Sequence, residues 1–188
     1  EKLEKFSALL TKWTGKINLI GPSTVSDVWS RHILDSVQIY KLAPRNWKTW
    51  VDLGSGGGLP GIVVAVLASE DDGKDVTLVE SDARKCAFLR TALRETATAG
   101  RVVNARIEDC DPMGADVLSA RALAPLPSLM EFADRHLGPD GVALFSKGQK
   151  ASNEIDEALE GWRFACEKHA SETDANGVIL RIGDLKRV

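Results

Sequence analysis

Two glycine patterns overlap in one loop of the sequence, between Gly54 and Gly61. Residues 54–58 read G-x-G-x-G, and residues 56–61 read G-x-G-x-x-G. Glycines in such a loop allow positive φ angles and let the backbone approach a ligand closely. The first pattern is typical of S-adenosylmethionine sites and the second of dinucleotide sites. The glycines alone therefore leave two chemistries open, methyl transfer and hydride transfer.

Residues around the loop favour S-adenosylmethionine. Asp52 lies two residues before Gly54, where a carboxylate suits a cofactor with a sulfonium and an ammonium and repels a pyrophosphate. Pro60 removes an N–H from the first turn of the next helix, where a pyrophosphate would bind. Glu80, at the end of the next strand, is expected to accept both ribose hydroxyls of either cofactor, unless it is simply a solvated strand-end acid. We therefore predict cofactor contacts at Asp52, Gly54, Gly56, Gly58 and Glu80.

Two later strand ends supply further candidates. Ile107 and Glu108 follow the third strand, where an apolar contact to adenine and a polar contact to its edge are expected. Arg121 ends the fourth strand, at the rim of the same site. An arginine in that position is a functional candidate, and a surface ion pair is the alternative.

The elements that must position these residues alternate between strand and helix. Predicted strands cover 49–53, 75–81, 101–106, 115–121 and 141–147, with helices over 60–69, 83–97, 126–137 and 151–160. "RFACEKHA" and "GVILRIG" then predict an antiparallel hairpin. A doubly wound, mostly parallel seven-stranded sheet with such a hairpin is the Rossmann-like α/β fold of class I S-adenosylmethionine-dependent methyltransferases. We assign it to residues 49–188, behind a helical extension over 1–48 with helices at 2–14 and 24–41.

Composition is that of an ordinary globular protein, with 44% hydrophobic and 27% charged residues. No apolar run reaches the roughly 18 residues that span a bilayer. The three cysteines are widely spaced and form no C-x-x-C, so we expect neither disulfides nor a metal site. We therefore expect the protein to be in the reducing cytoplasm. Because the chain begins at Glu1, already within a helical pattern, we expect that an N-terminal segment is missing.

Charge is unevenly distributed along the chain. The net charge of -3 by itself argues against a nucleic-acid binder. Residues 1–48, however, carry eight Lys/Arg and four Asp/Glu, for +4, whereas residues 49–188 carry sixteen and twenty-three, for -7. A basic N-terminal part on an acidic body is consistent with a side that faces a polyanion, and solvated helix faces are the alternative.

Five motifs, in this order and spacing, resemble one family. "RHILDS", "VDLGSGGGLPG", "ARIED", "SARALAPL" and "SKG" are similar to motifs of the bacterial small-subunit rRNA guanine-N7 methyltransferases, formerly called glucose-inhibited division protein B. The resemblance extends over essentially the whole chain. It departs from the family at Gly57, where many relatives have a proline.

The resemblance implies S-adenosylmethionine as methyl donor and N7 of one guanine in 16S rRNA, near the decoding region, as acceptor. Its cofactor contacts correspond here to Gly54, Leu59, Ile107, Glu108 and Arg121. It implies 16S rRNA or the small ribosomal subunit as partner, and we expect a cytoplasmic monomer without membrane or DNA partners. N7 carries a free lone pair, so the reaction needs orientation more than a general base, and no residue is predicted as a catalytic acid or base.

Candidate residues for positioning the RNA lie mostly in "RHILDS" and at strand ends. His32 and Asp35, three residues apart on a helix, are expected to bond each other and shape the substrate pocket, or else to pack the helix. Lys147, after the fifth strand, is expected to meet phosphate. The full set is Asn18, Arg31, His32, Asp35, Arg121, Lys147 and Lys150.

Three other functions stay open on the residues alone. The serious alternative is an S-adenosylmethionine-dependent methyltransferase that acts on another RNA, a protein or a small molecule, because the substrate side is weakly encoded. A nicotinamide-dependent oxidoreductase would use the G-x-G-x-x-G. A non-catalytic RNA-binding module would have no need of an intact cofactor loop with both acids.

Overall fold

Seven strands form one sheet in the computed structural model, which describes residues 1–188. In chain order they are β1 (Thr49–Leu53), β2 (Asp75–Glu80), β3 (Arg101–Asn104), β4 (Ala115–Arg121), β5 (Leu137–Lys147), β6 (Trp162–Ala170) and β7 (Val178–Arg187). Their spatial order is β3-β2-β1-β4-β5-β7-β6. The first five strands are parallel, and β7 pairs antiparallel with β5 and β6. The predicted sheet and its C-terminal hairpin are confirmed.

Six α-helices accompany the sheet. They are α1 (Lys2–Thr14), α2 (Asp35–Lys41), α3 (Gly61–Leu67), α4 (Ala83–Glu95), α5 (Leu126–His136) and α6 (Ala151–Gly161). Short 3-10 turns cover Pro22–Asp27, Ala68–Glu70 and Ile107–Asp109. None of the helices is long and apolar enough to cross a membrane.

Side chains of the central strand, β1, pack alternately into two hydrophobic cores on the two faces of the sheet. Trp50 of β1 packs into the core beneath α1 to α4, whereas Val51 and Leu53 pack into the core beneath α5 and α6. This is the period of two that a strand covered on both faces requires. Asp52 therefore points to the same face as Trp50, towards α3. The order of the strands puts the switch point between β1 and β4, so the loops after these two strands meet at one edge.

The N-terminal extension shares the core of the sheet rather than standing apart from it. The rings of Phe6 and Trp13 lie 6.4 and 5.6 Å from that of Phe88 in α4. Tyr40 stacks on Trp50 with 6.3 Å between ring centroids. The apolar stripe of α1 therefore packs on the main domain, as its spacing predicts.

Two segments differ from the sequence prediction. The helix predicted over residues 24–41 is a 3-10 turn, then a π-helix over Trp29–Leu34, and only then α2. β5 begins at Leu137, directly after α5, because Leu137 pairs with Ala115. Val142 pairs with Val117, so two steps along β4 match five along β5, and residues 138–141 bulge within the strand instead of forming a separate turn.

Candidate cofactor and substrate site

The loop between β1 and α3 requires glycine at specific positions. Gly54, Gly56 and Gly58 have φ angles of 60°, 52° and 78°. A Cβ on Gly54 would lie 2.5 Å from Leu123 Cδ1, which ties this loop closely to the one after β4. The predicted glycine turn at the carboxyl end of the first strand is therefore present. It packs against the loop after β4, as expected for the two loops that meet at the switch point.

Five amides in this loop and the first turn of α3 donate to acceptors of the protein: those of Ser55, Gly56, Gly58, Gly61 and Ile62. Two of the acceptors are carboxylates, Glu80 and Asp52. A pyrophosphate binds a glycine loop through free amides and the positive end of a helix. Two amides of this loop are bonded to carboxylates of the chain instead, which disfavours a dinucleotide.

Asp52 supports the loop from beneath. It is only 1% exposed. Its Oδ2 accepts the Gly61 amide at 3.2 Å, and its Oδ1 accepts the Ser119 hydroxyl at 2.6 Å. Burial raises the pKa of Asp52 to about 6, against the opposing effect of these hydrogen bonds. We expected its carboxylate to face the charged groups of a cofactor, but its side chain does not line the cavities at this loop and instead fixes the start of α3.

Glu80 is the carboxylate that does line the cleft. It is 7% exposed, and its Oε2 accepts the Gly56 amide at 2.9 Å while Oε1 accepts the Asp82 amide at 2.8 Å. A solvated strand-end acid is therefore not what the structure contains. Each carboxylate oxygen has a second lone pair, so the group, held in place by two amides, can still accept hydroxyl groups from a ligand.

A first cavity of 390 Å³ lies between the ends of β2, β3 and β4. Its walls include Gly54, Gly56, Glu80, Ile107 and Glu108. Ile107 is buried and offers an apolar surface, whereas Glu108 is exposed and lies 4.0 Å from the Arg106 guanidinium. The structure thus brings together five of the predicted cofactor residues in one cavity.

A second cavity of 270 Å³ continues from the first across Gly54, Gly56, Lys85 and Ala122. Its other walls are Leu19, Ile20, Gly21, His32, Ser55, Gly57, Leu59 and Arg121. Gly58 does not line this cavity. A Cβ on Gly58 would lie 2.5 Å from Ile62 Cγ1, so glycine is needed here where the chain turns into α3. Together the cavities fit an elongated ligand with a hydroxyl-bearing part at Glu80 and a second part beside Leu59.

Lys85 is a functional candidate that the sequence reasoning missed. It lies in the first turn of α4 and lines both cavities, and its ammonium makes no hydrogen bond or ion pair with the protein. A cation that borders both halves of the cleft suits a ligand carboxylate. In the sequence, Lys85 lies four residues before Leu89 on an amphipathic helix, and nothing distinguishes it there from a surface lysine.

His32 and Arg121 form the wall of the second cavity. His32 Nδ1 lies 2.7 Å from Arg121 Nη2, and Nε2 lies 2.7 Å from Thr24 Oγ1, which donates to the Gly21 carbonyl at 2.8 Å. Since arginine only donates, Nδ1 must accept, and the proton of the neutral ring lies on Nε2. Burial and the nearby guanidiniums of Arg121 and Arg31 lower the pKa of His32 to about 4. His32 is therefore a fixed, neutral acceptor near pH 7.

His32 and Asp35 do not bond each other as we expected. Each bonds Arg121 instead, whose Nε lies 3.5 Å from Asp35 Oδ2. His32 is within the π-helix, whose wider turn rotates residues three apart away from one another. Arg121 fills the gap between them, so the "RHILDS" and "SARALAPL" motifs meet through one side chain.

Lys147 is paired within the protein. Its side chain is 8% exposed, and Nζ lies 2.6 Å from Glu154 Oε2 and donates to the Ala124 carbonyl at 2.7 Å. Glu154 also accepts the Leu126 amide at 2.7 Å. Lys147 therefore links α6 to the start of α5, and a contact from its remaining N–H to phosphate stays a prediction.

The remaining candidates occupy two different places. Arg31, Asp35, Arg121 and Lys147 border a third cavity of 240 Å³, on the β5–β7 side of Arg121. Arg31 is exposed and pairs with Asp174 at 3.2 Å. Asn18 and Lys150 are exposed and line none of the three cavities.

Several solved structures have a fold similar to that of this chain. TYW2 of M. jannaschii, solved in complex with AdoMet, aligns with a TM-score of 0.62 at 13% identity over 93% of this chain and 80% of that one. The ribosomal protein L11 methylase of Lactobacillus delbrueckii subsp. bulgaricus aligns with a TM-score of 0.63 at 19% identity, over 79% and 76%. The fold is thus that of class I S-adenosylmethionine-dependent methyltransferases.

Sequence relatives give the family. The model of the rRNA small subunit methyltransferase G family, GidB, matches residues 1–177. Ribosomal RNA small subunit methyltransferase G of Ruegeria sp. (strain TM1040) is 49% identical over 189 residues, which cover 100% of this chain and 92% of that protein. The protein of the same name from Paramagnetospirillum magneticum is 47% identical over 187 residues, with 100% and 89% covered. The chain belongs to the rRNA small subunit methyltransferase G family, as the motifs predict.

Proposed function

We propose that this protein transfers a methyl group from S-adenosylmethionine to N7 of a guanine in the 16S rRNA of the small ribosomal subunit. Membership of the family supports the rRNA substrate. The observation that carries the cofactor is the glycine loop, in which Glu80 accepts the Gly56 amide and Asp52 accepts the Gly61 amide while the cavity beside the loop stays open. A loop built in this way suits a cationic cofactor without phosphate groups.

Residues of the first two cavities contact different parts of the cofactor. Glu80 accepts the ribose hydroxyls, Ile107 packs against the adenine, and Glu108 meets the polar edge of the base. Lys85 balances the carboxylate of the methionine part, and Gly54, Gly56 and Leu59 form the floor of the second cavity. Asp52 acts on the cofactor through the loop that it holds. The cofactor supplies an electrophilic methyl group on a sulfonium.

The reaction makes little demand for proton transfer. Guanine N7 has an available lone pair, and positive charge passes from sulfur to the purine without a change in net charge. The protein must therefore orient the two reactants and exclude alternatives. A fixed, neutral His32 bonded to Arg121 fits such a site, because its ring nitrogens are both occupied and do not act as acid or base.

The RNA approaches on the side of the N-terminal segment. Leu19, Ile20 and Gly21 line the second cavity, and the exposed Lys16 and Asn18 immediately precede them. The Lys16 ammonium and the Asn18 amide can both donate to backbone phosphates next to a base that leaves its stack to reach the cofactor. The excess of basic residues in residues 1–48 also favours an approach of the RNA on this side. We place the enzyme in the cytoplasm as a monomer, with no DNA or membrane partner.

Methylation of purified ribosomal particles tests the proposal. Small subunits whose 16S rRNA lacks N7-methylguanine are incubated with the protein and S-adenosylmethionine labelled in the methyl group. We expect one methyl per subunit, in 16S rRNA, and no transfer to free guanosine. Naked 16S rRNA in parallel shows whether the assembled particle is required. Label in a ribosomal protein or in another RNA instead would establish the alternative methyltransferase function and overturn this one.

A further inference from the structure

The third cavity meets the second cavity at Arg121 and Ala122. Its 240 Å³ are enclosed by the ends of β4 and β5, the start of β7 and the segment 171–177, opposite Asp35. It shares no other residue with the second cavity. A water takes about 30 Å³ in the liquid, so the space corresponds to roughly eight waters and suits one flat nucleobase.

Two hydrogen-bonding groups of this cavity's residues have no partner in the protein. Arg121 Nη1 and Ser146 Oγ are both buried, and neither has a hydrogen bond. A buried donor without an acceptor destabilises the folded protein, because it gives up its hydrogen bonds to water and gains none. Such groups are rare in folded proteins, and two of them around one cavity indicate that a ligand supplies acceptors here.

Asp35 supplies an acceptor beside these donors. Its Oδ1 accepts the Thr173 hydroxyl at 3.1 Å and the Ser171 hydroxyl at 3.4 Å, and its Oδ2 lies 3.5 Å from Arg121 Nε. An ionised carboxylate accepts about four hydrogen bonds, so Oδ2 retains capacity for one further N–H donor. The cavity therefore has unpaired donors and an anionic acceptor side by side, at the end that it shares with the second cavity.

We propose that this cavity holds the target guanine, with Arg121 and Ser146 donating to O6 and Asp35 accepting from the 2-amino group. N7 is the neighbour of O6 on the ring, so this orientation turns N7 towards Arg121 and Ala122, where the third cavity meets the second. Adenine would present an amino group to Arg121 and a C–H to Asp35, and is thereby rejected. The assignment rests on the proposed function, which it extends from the kind of substrate to the residues that select the base.

Inosine tests the contact between Asp35 and the 2-amino group, because it keeps O6, N1–H and N7 of guanosine but lacks that group. Small subunits are reconstituted with guanosine or inosine at the target position, and kcat/KM is measured for both. The wild type is expected to prefer guanosine by about tenfold or more, the usual effect of a lost hydrogen bond to a charged acceptor. In Asp35→Asn the activity on guanosine falls by at least about tenfold, and the preference shrinks to about twofold.

Two further variants separate base recognition from damage to the fold. Ser146→Ala removes a contact to O6, which both bases carry, so activity falls about threefold to tenfold on both and their ratio stays as in the wild type. Asp27→Asn, a change at an exposed carboxylate before the π-helix, leaves both rates unchanged. Binding of S-adenosylmethionine by calorimetry stays within about twofold of wild type in all three variants, since none lines the first two cavities.

The outcomes are distinguishable. A wild type that methylates inosine and guanosine equally, or an Asp35→Asn variant that keeps the wild-type preference, overturns the base assignment and leaves the rRNA methyltransferase function intact. A Ser146→Ala variant with full activity on both bases overturns the role of Ser146. A wild type that transfers no methyl to the guanosine subunits overturns the function and the assignment together.

Discussion

Arg121 Nη2 lies 2.7 Å from His32 Nδ1, so a residue at the end of β4 is bonded to a residue in the π-helix, far earlier in the chain. Because a guanidinium only donates, this contact fixes His32 as the acceptor and keeps its ring neutral. It also holds Arg121 at the boundary between the cofactor cavities and the third cavity. Arg121 thus adds a polar link between the N-terminal extension and the sheet to the apolar packing that already joins them.

Neutral burial of His32 makes stability depend on pH. The pKa of His32 is lowered to about 4, so between pH 4 and about 6.5 the unfolded chain binds a proton that the folded chain does not. Its contribution to the free energy of unfolding therefore rises with pH across this window, by about 3 kcal/mol. We expect urea titrations to show that rise in the wild type relative to His32→Asn. A difference between the two proteins that is constant from pH 4 to 7 would contradict the buried neutral ring.

Asp52 is expected to have the opposite effect. Its pKa is raised to about 6, so between about pH 4 and 6 the folded chain holds a proton that the unfolded chain has lost. The free energy of unfolding falls as pH rises through this window, by about 3 kcal/mol for this group. Asp52→Asn keeps an acceptor for Ser119 and removes the charge. Its stability relative to the wild type should therefore rise from pH 4 to pH 6, and an unchanged difference would show that Asp52 titrates normally.

Removing the Asp52 side chain tests its role beneath the loop. Asp52→Ala leaves the Gly61 amide and the Ser119 hydroxyl without their acceptor. We expect S-adenosylmethionine to bind at least about tenfold more weakly by calorimetry, on the order of 1.4 kcal/mol. Asp72→Ala, at an exposed loop aspartate, is the control and should bind like the wild type. Equal affinity in both variants would mean that the loop does not depend on Asp52.

Glycine at position 54 is required for two reasons, which a matched pair of variants separates. Gly54→Ala meets Leu123 at 2.5 Å and places alanine at a φ of 60°, whereas Gly73→Ala has a φ of 80° with no atom within 4 Å. Both lose about 1–2 kcal/mol of stability from the left-handed backbone. Only Gly54→Ala should also lose binding of S-adenosylmethionine, by more than about tenfold. Wild-type affinity in Gly54→Ala would exclude this loop from the cofactor site.

Patterns local in sequence predicted most of the fold. Alternation of strands with helices gave the parallel sheet, and the Asn-Gly-containing turn near residue 176 predicted the antiparallel hairpin. The glycine loop and Glu80 were found because a cofactor site at the switch point follows from the chain order alone. Leu59 came from the resemblance to the family, whereas Arg121 was indicated by its place at the end of the fourth strand as well, and both border the second cavity.

Side-chain partners that lie far apart in sequence, or that depend on local helix geometry, were not predictable. The spacing of His32 and Asp35 assumes an α-helix, and no residue of that segment signals the π-helix that separates them. Lys147 lies at a strand end that favours a ligand contact, but Glu154, one turn into α6, pairs with it. Asp52 precedes the glycine loop, yet the period of the strand turns it inward. Lys85 was missed because one lysine on an amphipathic helix resembles any other.

The most direct test of the central claim is mass mapping of 16S rRNA from cells that lack the gene, before and after its return on a plasmid. The account predicts that one N7-methylguanine disappears on deletion and returns with the wild-type gene, but not with Gly54→Ala. An unchanged pattern of rRNA methylation, or loss of a methyl group from another atom, would contradict it.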